Sequence, residues 1–74
     1  MIYDYKFMIK VLTNISSVKR GQLIFNLIKN YLNTEKVRLE QMQDQIMFVF
    51  QNNEQQVEKA QMLMQEVGVK SKVI

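Results

Sequence analysis

The spacing of hydrophobic residues changes several times along this 74-residue chain. Apolar and polar positions alternate over residues 3–12, which is typical of a half-buried strand. Helical spacing follows over residues 18–33, alternation returns over residues 37–50, and helical spacing returns over residues 57–67. The pattern therefore predicts the order β-α-β-β-α in a single small α+β domain, residues 1–74, with a short apolar tail.

The second alternating stretch is expected to fold back on itself as a hairpin. A turn at Gln43 and Asp44 places Leu39 opposite Phe48, and this register collects the aromatic and branched side chains on one face. A rival interpretation makes residues 35–67 one long helix. The β-forming run 46–50 and the polar break 51–53 argue against that helix.

The first predicted helix carries more apolar surface than one sheet can cover. Ser17 is a suitable N-cap, and Gly21 lies in the apolar stripe, where it permits close approach to the sheet. The apolar arc spans roughly 220°, against the ~100° stripe that a surface helix needs. Leu23 and Leu27 are therefore expected to face another chain or a second layer.

The second predicted helix is an ordinary one-sided surface helix with an arc of about 120°. Asn53 is a good N-cap for it, and Gly68 suits a left-handed C-terminal cap. The tail, residues 69–74, can add a short edge strand. Together these elements predict a ferredoxin-like β-α-β-β-α(-β) two-layer sandwich, in which an antiparallel sheet of order 4-1-3-2 carries two helices on one face.

Two short stretches resemble the pattern of ACT domains, a family of small regulatory modules. Residues 10–14 leading through Arg20-Gly21-Gln22-Leu23 are similar to the family's strand-loop-glycine-helix start, and residues 67–69 with 72–74 are similar to its close. The family's acidic residue and proline before the glycine are missing. The resemblance implies a ferredoxin-like fold and leaves a small-molecule regulatory domain as one alternative, but it carries over no ligand site.

Composition argues against catalysis. The chain has no histidine and no cysteine, so the commonest general base, the best nucleophile, disulfides and the usual zinc ligands are all missing. Two glycines cannot build a phosphate-binding loop. We therefore expect no enzyme activity, no cofactor and no metal site.

We expect a cytoplasmic protein that does not enter membranes. Asp4, Lys6 and Lys10 interrupt the only apolar run near the first residue, so no signal peptide is predicted. No stretch approaches the roughly 20 apolar residues of a membrane span.

Small size favours association with another protein. A domain of this length buries only about 60% of its unfolded surface, and without disulfides or a metal the remaining remedy is a partner chain. We therefore expect a homo-oligomer or a complex with a larger protein. The candidate interface is either the sheet face turned away from the helices, with Met8, Met47 and Val49, or helix 1, with Leu23 and Leu27.

Charge provides a competing hypothesis for the same sheet face. Residues 1–38 contain seven lysines or arginines against two acidic residues, whereas residues 39–74 contain three against five. A nucleic-acid-binding module would use Lys6, Lys10, Arg38, Lys70 and Lys72 as phosphate contacts. Against it, the aromatic side chains of the predicted central strands fall on the inward face, where bases cannot stack. Plain solvent exposure of this face is a third alternative.

The function predicted from sequence is a small non-catalytic protein-interaction module that acts as a homodimer or as a binding partner and regulator of a larger protein. The alternatives are the nucleic-acid-binding module and the ACT-like regulatory domain.

Overall fold

The computed structural model describes residues 8–51 and 54–74. It confirms the predicted order of elements and adds the short fourth strand in the tail. The predicted strand residues 3–7 and the predicted cap Asn53 lie outside the described residues. The elements are β1 (Met8–Thr13), α1 (Val18–Leu32), β2 (Val37–Met42), β3 (Gln45–Gln51), α2 (Glu54–Glu66) and β4 (Ser71–Val73).

The four strands form one antiparallel sheet in the order β2-β3-β1-β4. With α1 joining β1 to β2 and α2 joining β3 to β4, this is the predicted ferredoxin-like topology. The hairpin register is also confirmed, since Leu39 pairs with Phe48 and Arg38 with Val49. The turn bends at Gln43, whose φ of 52° is left-handed. The rival long helix is therefore wrong.

The core lies between the sheet and the two helices. Phe48 and Phe50 are fully buried, as are Ile28 of α1 and Met64 of α2. Gly21 lets α1 approach the sheet closely, because a Cβ at this position would lie 2.8 Å from Cγ1 of Ile46. The predicted role of this glycine is thus supported by a measurable distance.

The start of α1 and the end of α2 are each capped by local hydrogen bonds. The Ser17 hydroxyl accepts a hydrogen bond from the Arg20 N–H at 3.2 Å, as expected of an N-cap. At the end of α2, Gly68 adopts a φ of +82°, and the Val69 N–H donates to the Met64 carbonyl at 2.8 Å. Together with the 3.1 Å bond from the Gly68 N–H to the Gln65 carbonyl, this is a Schellman motif.

One buried hydroxyl fixes the loop between β1 and α1. Thr13 donates to the Ile46 carbonyl at 2.7 Å and accepts from the Ile15 N–H at 3.1 Å. The Ile46 N–H donates to the carbonyl of Ile15 at 2.9 Å, and Ile15 is itself buried. The loop is therefore held against the start of β3. Among the described residues, no helix is both long and apolar enough to span a membrane.

Candidate interaction surfaces

One row of large apolar side chains on α1 is left uncovered. Leu23 and Tyr31 are each 59% exposed and Leu27 is 46% exposed. These residues are four positions apart, so they form a single ridge along the helix. We call this row the α1 stripe. It contains both helix residues predicted at the interface and adds Tyr31, which the spacing from Leu27 could have identified.

The opposite side of α1 leads toward β2. The Phe25 ring is stacked on Phe48 with centroids 6.1 Å apart, and Lys29 Nζ lies 5.2 Å from the centre of the Phe25 ring. Lys29 also forms an ion pair of 3.2 Å with Glu35, which lies in the loop immediately before β2. Leu27 and Lys29 are roughly 160° apart around the helix axis, so the α1 stripe points away from β2.

The sheet face turned away from the helices is called the outer face. It is formed by Met8, Lys10 and Leu12 of β1, Arg38, Glu40 and Met42 of β2, Met47 and Val49 of β3, and Lys72 of β4. The predicted placement of Met8, Met47 and Val49 on this face agrees with the strand register. Met8 is half-buried.

Burial limits what the centre of the outer face offers to a partner. Met47 and Val49 are each only 2% exposed. The excess apolar surface that the sequence suggested for this face is therefore not present at its centre, whereas the α1 stripe retains it. Whether Met8, Met47 or Val49 takes part in an interface stays a prediction.

Three of the predicted basic contacts share the outer face. Lys10 and Arg38 lie opposite each other on the two sides of Val49, and Lys72 lies in the next row beside Leu12. Arg38 donates to the Glu40 carboxylate at 3.0 Å, which offsets part of this positive charge. The described residues of the outer face include no aromatic side chain.

A fourth predicted basic contact, Lys70, lies beside this group, outside the strands of the sheet. Lys70 lies just before β4, where its N–H donates to the Asn14 side-chain oxygen at 3.1 Å. It lines an open cleft of about 190 Å³ together with Leu12, Ser71 and Lys72. Lys6 lies outside the described residues, so its position relative to the others stays a prediction.

Strand β2 forms one edge of the sheet. The Gln51 N–H donates to the Lys36 carbonyl at 3.3 Å, which makes these two residues a hydrogen-bonded pair. Because such pairs alternate along an antiparallel ladder, Arg38 and Glu40 also direct their backbone groups toward β3. The N–H and C=O groups of Val37, Leu39 and Gln41 consequently face outward, away from the described sheet.

Metal-binding groups and unpaired buried polar atoms would be further signs of a functional site. Within residues 8–51 and 54–74, no three His, Cys, Asp or Glu side chains are grouped so that they could hold a metal ion. No buried side-chain nitrogen or oxygen in that part of the chain lacks a hydrogen-bond partner. The arrangement offers surfaces for binding, and the predicted absence of catalysis stays a prediction.

Comparison with known protein families, with curated proteins and with solved structures finds no match for this chain. The resemblance to ACT domains therefore rests on the two short stretches quoted above.

Proposed function

We propose that the chain is a small non-catalytic protein-interaction module, which works as a homodimer or as the binding partner of a larger protein. The observation that supports this proposal best is the α1 stripe. Three large apolar side chains stand about half exposed although the core beside them is buried, and exposed apolar patches on small domains commonly mark contact sites.

The area of the α1 stripe sets the strength of binding that it can supply. Burying a leucine fully contributes about 1.5–3 kcal/mol, so covering the exposed half of each stripe residue contributes roughly 1 kcal/mol. Two copies that cover six such side chains gain roughly 6 kcal/mol against an association cost of about 4–15 kcal/mol. At best about 2 kcal/mol remains, which is less than the roughly 4 kcal/mol that corresponds to a Kd of about 1 mM. A stable complex must therefore bury further surface beside the stripe.

The test is sedimentation velocity over concentration, with Leu27→Asp as the disrupting variant. Asn26→Asp is the matched control, because it places the same charge on a neighbouring exposed position of α1 outside the stripe. If a second copy occupies the stripe, Leu27→Asp lowers the dimer fraction and Asn26→Asp does not. A monomer at high micromolar concentration, unchanged by Leu27→Asp, would contradict a homodimer whose interface includes the stripe.

A separate protein partner requires a second measurement. The wild-type chain and the two variants are immobilised in parallel and exposed to host lysate, and the retained proteins are compared. A partner of the stripe is retained by the wild type and by Asn26→Asp but lost with Leu27→Asp. Equal retention by all three chains would show that the stripe is not the docking surface.

A nucleic-acid-binding module is the alternative, and the proximity of Lys10, Arg38 and Lys72 on the outer face favours it. The chain would then bind a mixed oligonucleotide at about 50 mM salt, with an affinity that falls steeply as salt rises. Lys10→Glu with Lys72→Glu should abolish that binding. Lys19→Glu with Lys59→Glu, on exposed helix positions, is the control of equal charge change. No binding by the wild type at low salt would remove this alternative.

A further inference from the structure

We propose that β2 pairs with β2 of a second copy, antiparallel about a two-fold axis at Leu39, so that the two four-stranded sheets become one. The interface is separate from the α1 stripe, and it rests on the proposed interaction-module function only in naming a second copy as partner. Three features of β2 carry the proposal: its outward backbone groups, the order of its charges and the position of α1 above it.

The outward backbone groups of β2 are available for pairing. Val37, Leu39 and Gln41 present their N–H and C=O groups at the open edge, and the described residues supply no backbone partner for them. Only registers that place these odd-numbered residues opposite one another let both strands use those groups. When Leu39 lies opposite Leu39 of the partner subunit, Val37 lies opposite the partner's Gln41. About six hydrogen bonds can then form.

The charges select this register among its neighbours. With Leu39 at the axis, Arg38 lies opposite the partner's Glu40 in a non-hydrogen-bonded pair, where side chains approach most closely. Sliding the strands by two residues in one direction places Arg38 opposite the partner's Arg38. Sliding them the other way places Glu40 opposite the partner's Glu40. Like charges directly opposite are destabilising, so both slipped registers are disfavoured.

The proposed register also preserves the ion pair that Arg38 and Glu40 already form within one chain. Arg38 Nη2 already lies 3.0 Å from Glu40 Oε2 on the outer face, with side chains 63% and 42% exposed. Pairing two such strands creates an alternating square of two arginines and two glutamates. Because each charge then has two opposite neighbours, the pairing adds ion pairs without breaking the one already present.

The helices do not prevent this pairing. α1 packs against β2 and β3, so its axis lies near the boundary between these two strands. With strands about 4.8 Å apart, the two copies of α1 would lie about 10 Å apart across the axis, which is an ordinary helix packing distance. The side of α1 that faces the axis carries Lys29, whose charge is balanced by Glu35.

Charge reversal tests the register directly. Arg38→Glu alone and Glu40→Arg alone each place like charges opposite in the dimer, so each variant should dimerise at least tenfold more weakly than the wild type. A mixture of the two variants in equal amounts restores opposite charges at every position and should recover a heterodimer. The double variant Arg38→Glu with Glu40→Arg should recover the homodimer.

Cysteine crosslinking provides an independent readout, because the natural chain has no cysteine. Residues at the axis lie about 5.5 Å apart between Cα atoms, within the range that a disulfide spans. Leu39→Cys should therefore form a disulfide-linked dimer on mild oxidation, whereas Gln41→Cys should not. Circular dichroism of every variant verifies folding.

The expected result is a wild-type dimer, single-charge variants that dimerise at least tenfold more weakly, and a dimer in their mixture. A wild type that stays monomeric up to about 1 mM overturns the proposal, as does a mixture no more associated than its components. Leu27→Asp distinguishes this interface from the α1 stripe, since it should leave β2 pairing and Leu39→Cys crosslinking unchanged.

Discussion

Replacing Gly21 with alanine tests how closely α1 lies on the sheet. The added Cβ would be 2.8 Å from Cγ1, 3.2 Å from Cδ1 and 3.3 Å from Cγ2 of Ile46. Ordinary carbon contacts are about 3.5–4.0 Å, so α1 or Ile46 must move by several tenths of an ångström. Ile46 is fully buried, so its side chain cannot relieve the contact by turning into solvent.

Two opposing terms determine the sign of the effect. Crowding a packed core by one methyl group costs about 1–3 kcal/mol. Alanine in place of glycine within a helix raises the free energy of unfolding by about 1 kcal/mol. We therefore expect Gly21→Ala to lower the free energy of unfolding by up to about 2 kcal/mol. For a domain of this size, each kcal/mol corresponds to a fall in Tm of about 4–8 °C.

A double-mutant cycle separates the two terms. Ile46→Ala removes all three crowding atoms, so Gly21→Ala in that background should be stabilising by about 1 kcal/mol. The coupling energy between the two sites should be about 1–3 kcal/mol. Because Ile46→Ala itself costs about 2–5 kcal/mol, all four chains are melted in the same stabilising osmolyte.

An exposed site in the same turn provides the propensity control. The difference in stability between Gln22→Ala and Gln22→Gly measures the alanine preference without core contact, because Gln22 is exposed. Equal effects of the glycine-to-alanine change at positions 21 and 22 would refute the close approach. So would a coupling energy near zero between Gly21 and Ile46.

Two further substitutions test local features. Thr13→Val should cost about 2–5 kcal/mol in chemical denaturation, because the Ile46 carbonyl and the Ile15 N–H each lose their partner; Thr13→Ser keeps the hydroxyl and should lose much less. Gly68→Ala should cost about 1 kcal/mol through its positive φ alone, since no atom lies within 4 Å of the added Cβ. A stability loss of equal size for Thr13→Val and Thr13→Ser, or none for Gly68→Ala, would contradict these accounts.

In the hairpin, the period of the hydrophobic residues is enough to predict the register of β2 and β3. A slip of one residue would move Leu39 to the face opposite Phe48 and Phe50, whereas the observed pairing of Leu39 with Phe48 keeps all three on the buried face. Gln43 and Asp44 are not a favoured turn pair, yet they form the turn. Burial of one face therefore outweighs the local preference of the two turn residues.

The loop after β1 shows where period gives no information. Residues 13–16 fall between the predicted strand and the predicted helix, where no period is present, yet Thr13 and Ile15 are both buried. Their burial depends on hydrogen bonds to Ile46, which lies more than thirty positions away in sequence. Val18 shows the converse: it opens the helical spacing of residues 18–33, but it is half exposed because it begins the helix.

Burial also changes the candidate site. Period alone places Met47 and Val49 on the outer face but cannot show that they are buried, whereas Leu23 and Leu27 have the exposure that an interface needs. The edge of β2 has no signal in hydrophobicity at all. It is found only when the outward backbone groups are combined with the order of Arg38 and Glu40 along the strand.

The two proposed surfaces have a joint consequence. Lys29 and its partner Glu35 lie on the side of α1 that leads into β2, and the α1 stripe points roughly 160° away from that side. Pairing of two copies through β2 would therefore leave both stripes uncovered, one on each half of the joined sheet. A partner that binds the stripe would then find two identical sites on one dimer. If that partner is itself multivalent, its apparent affinity for the dimer should exceed its affinity for the Arg38→Glu monomer. A monovalent partner should bind both forms equally.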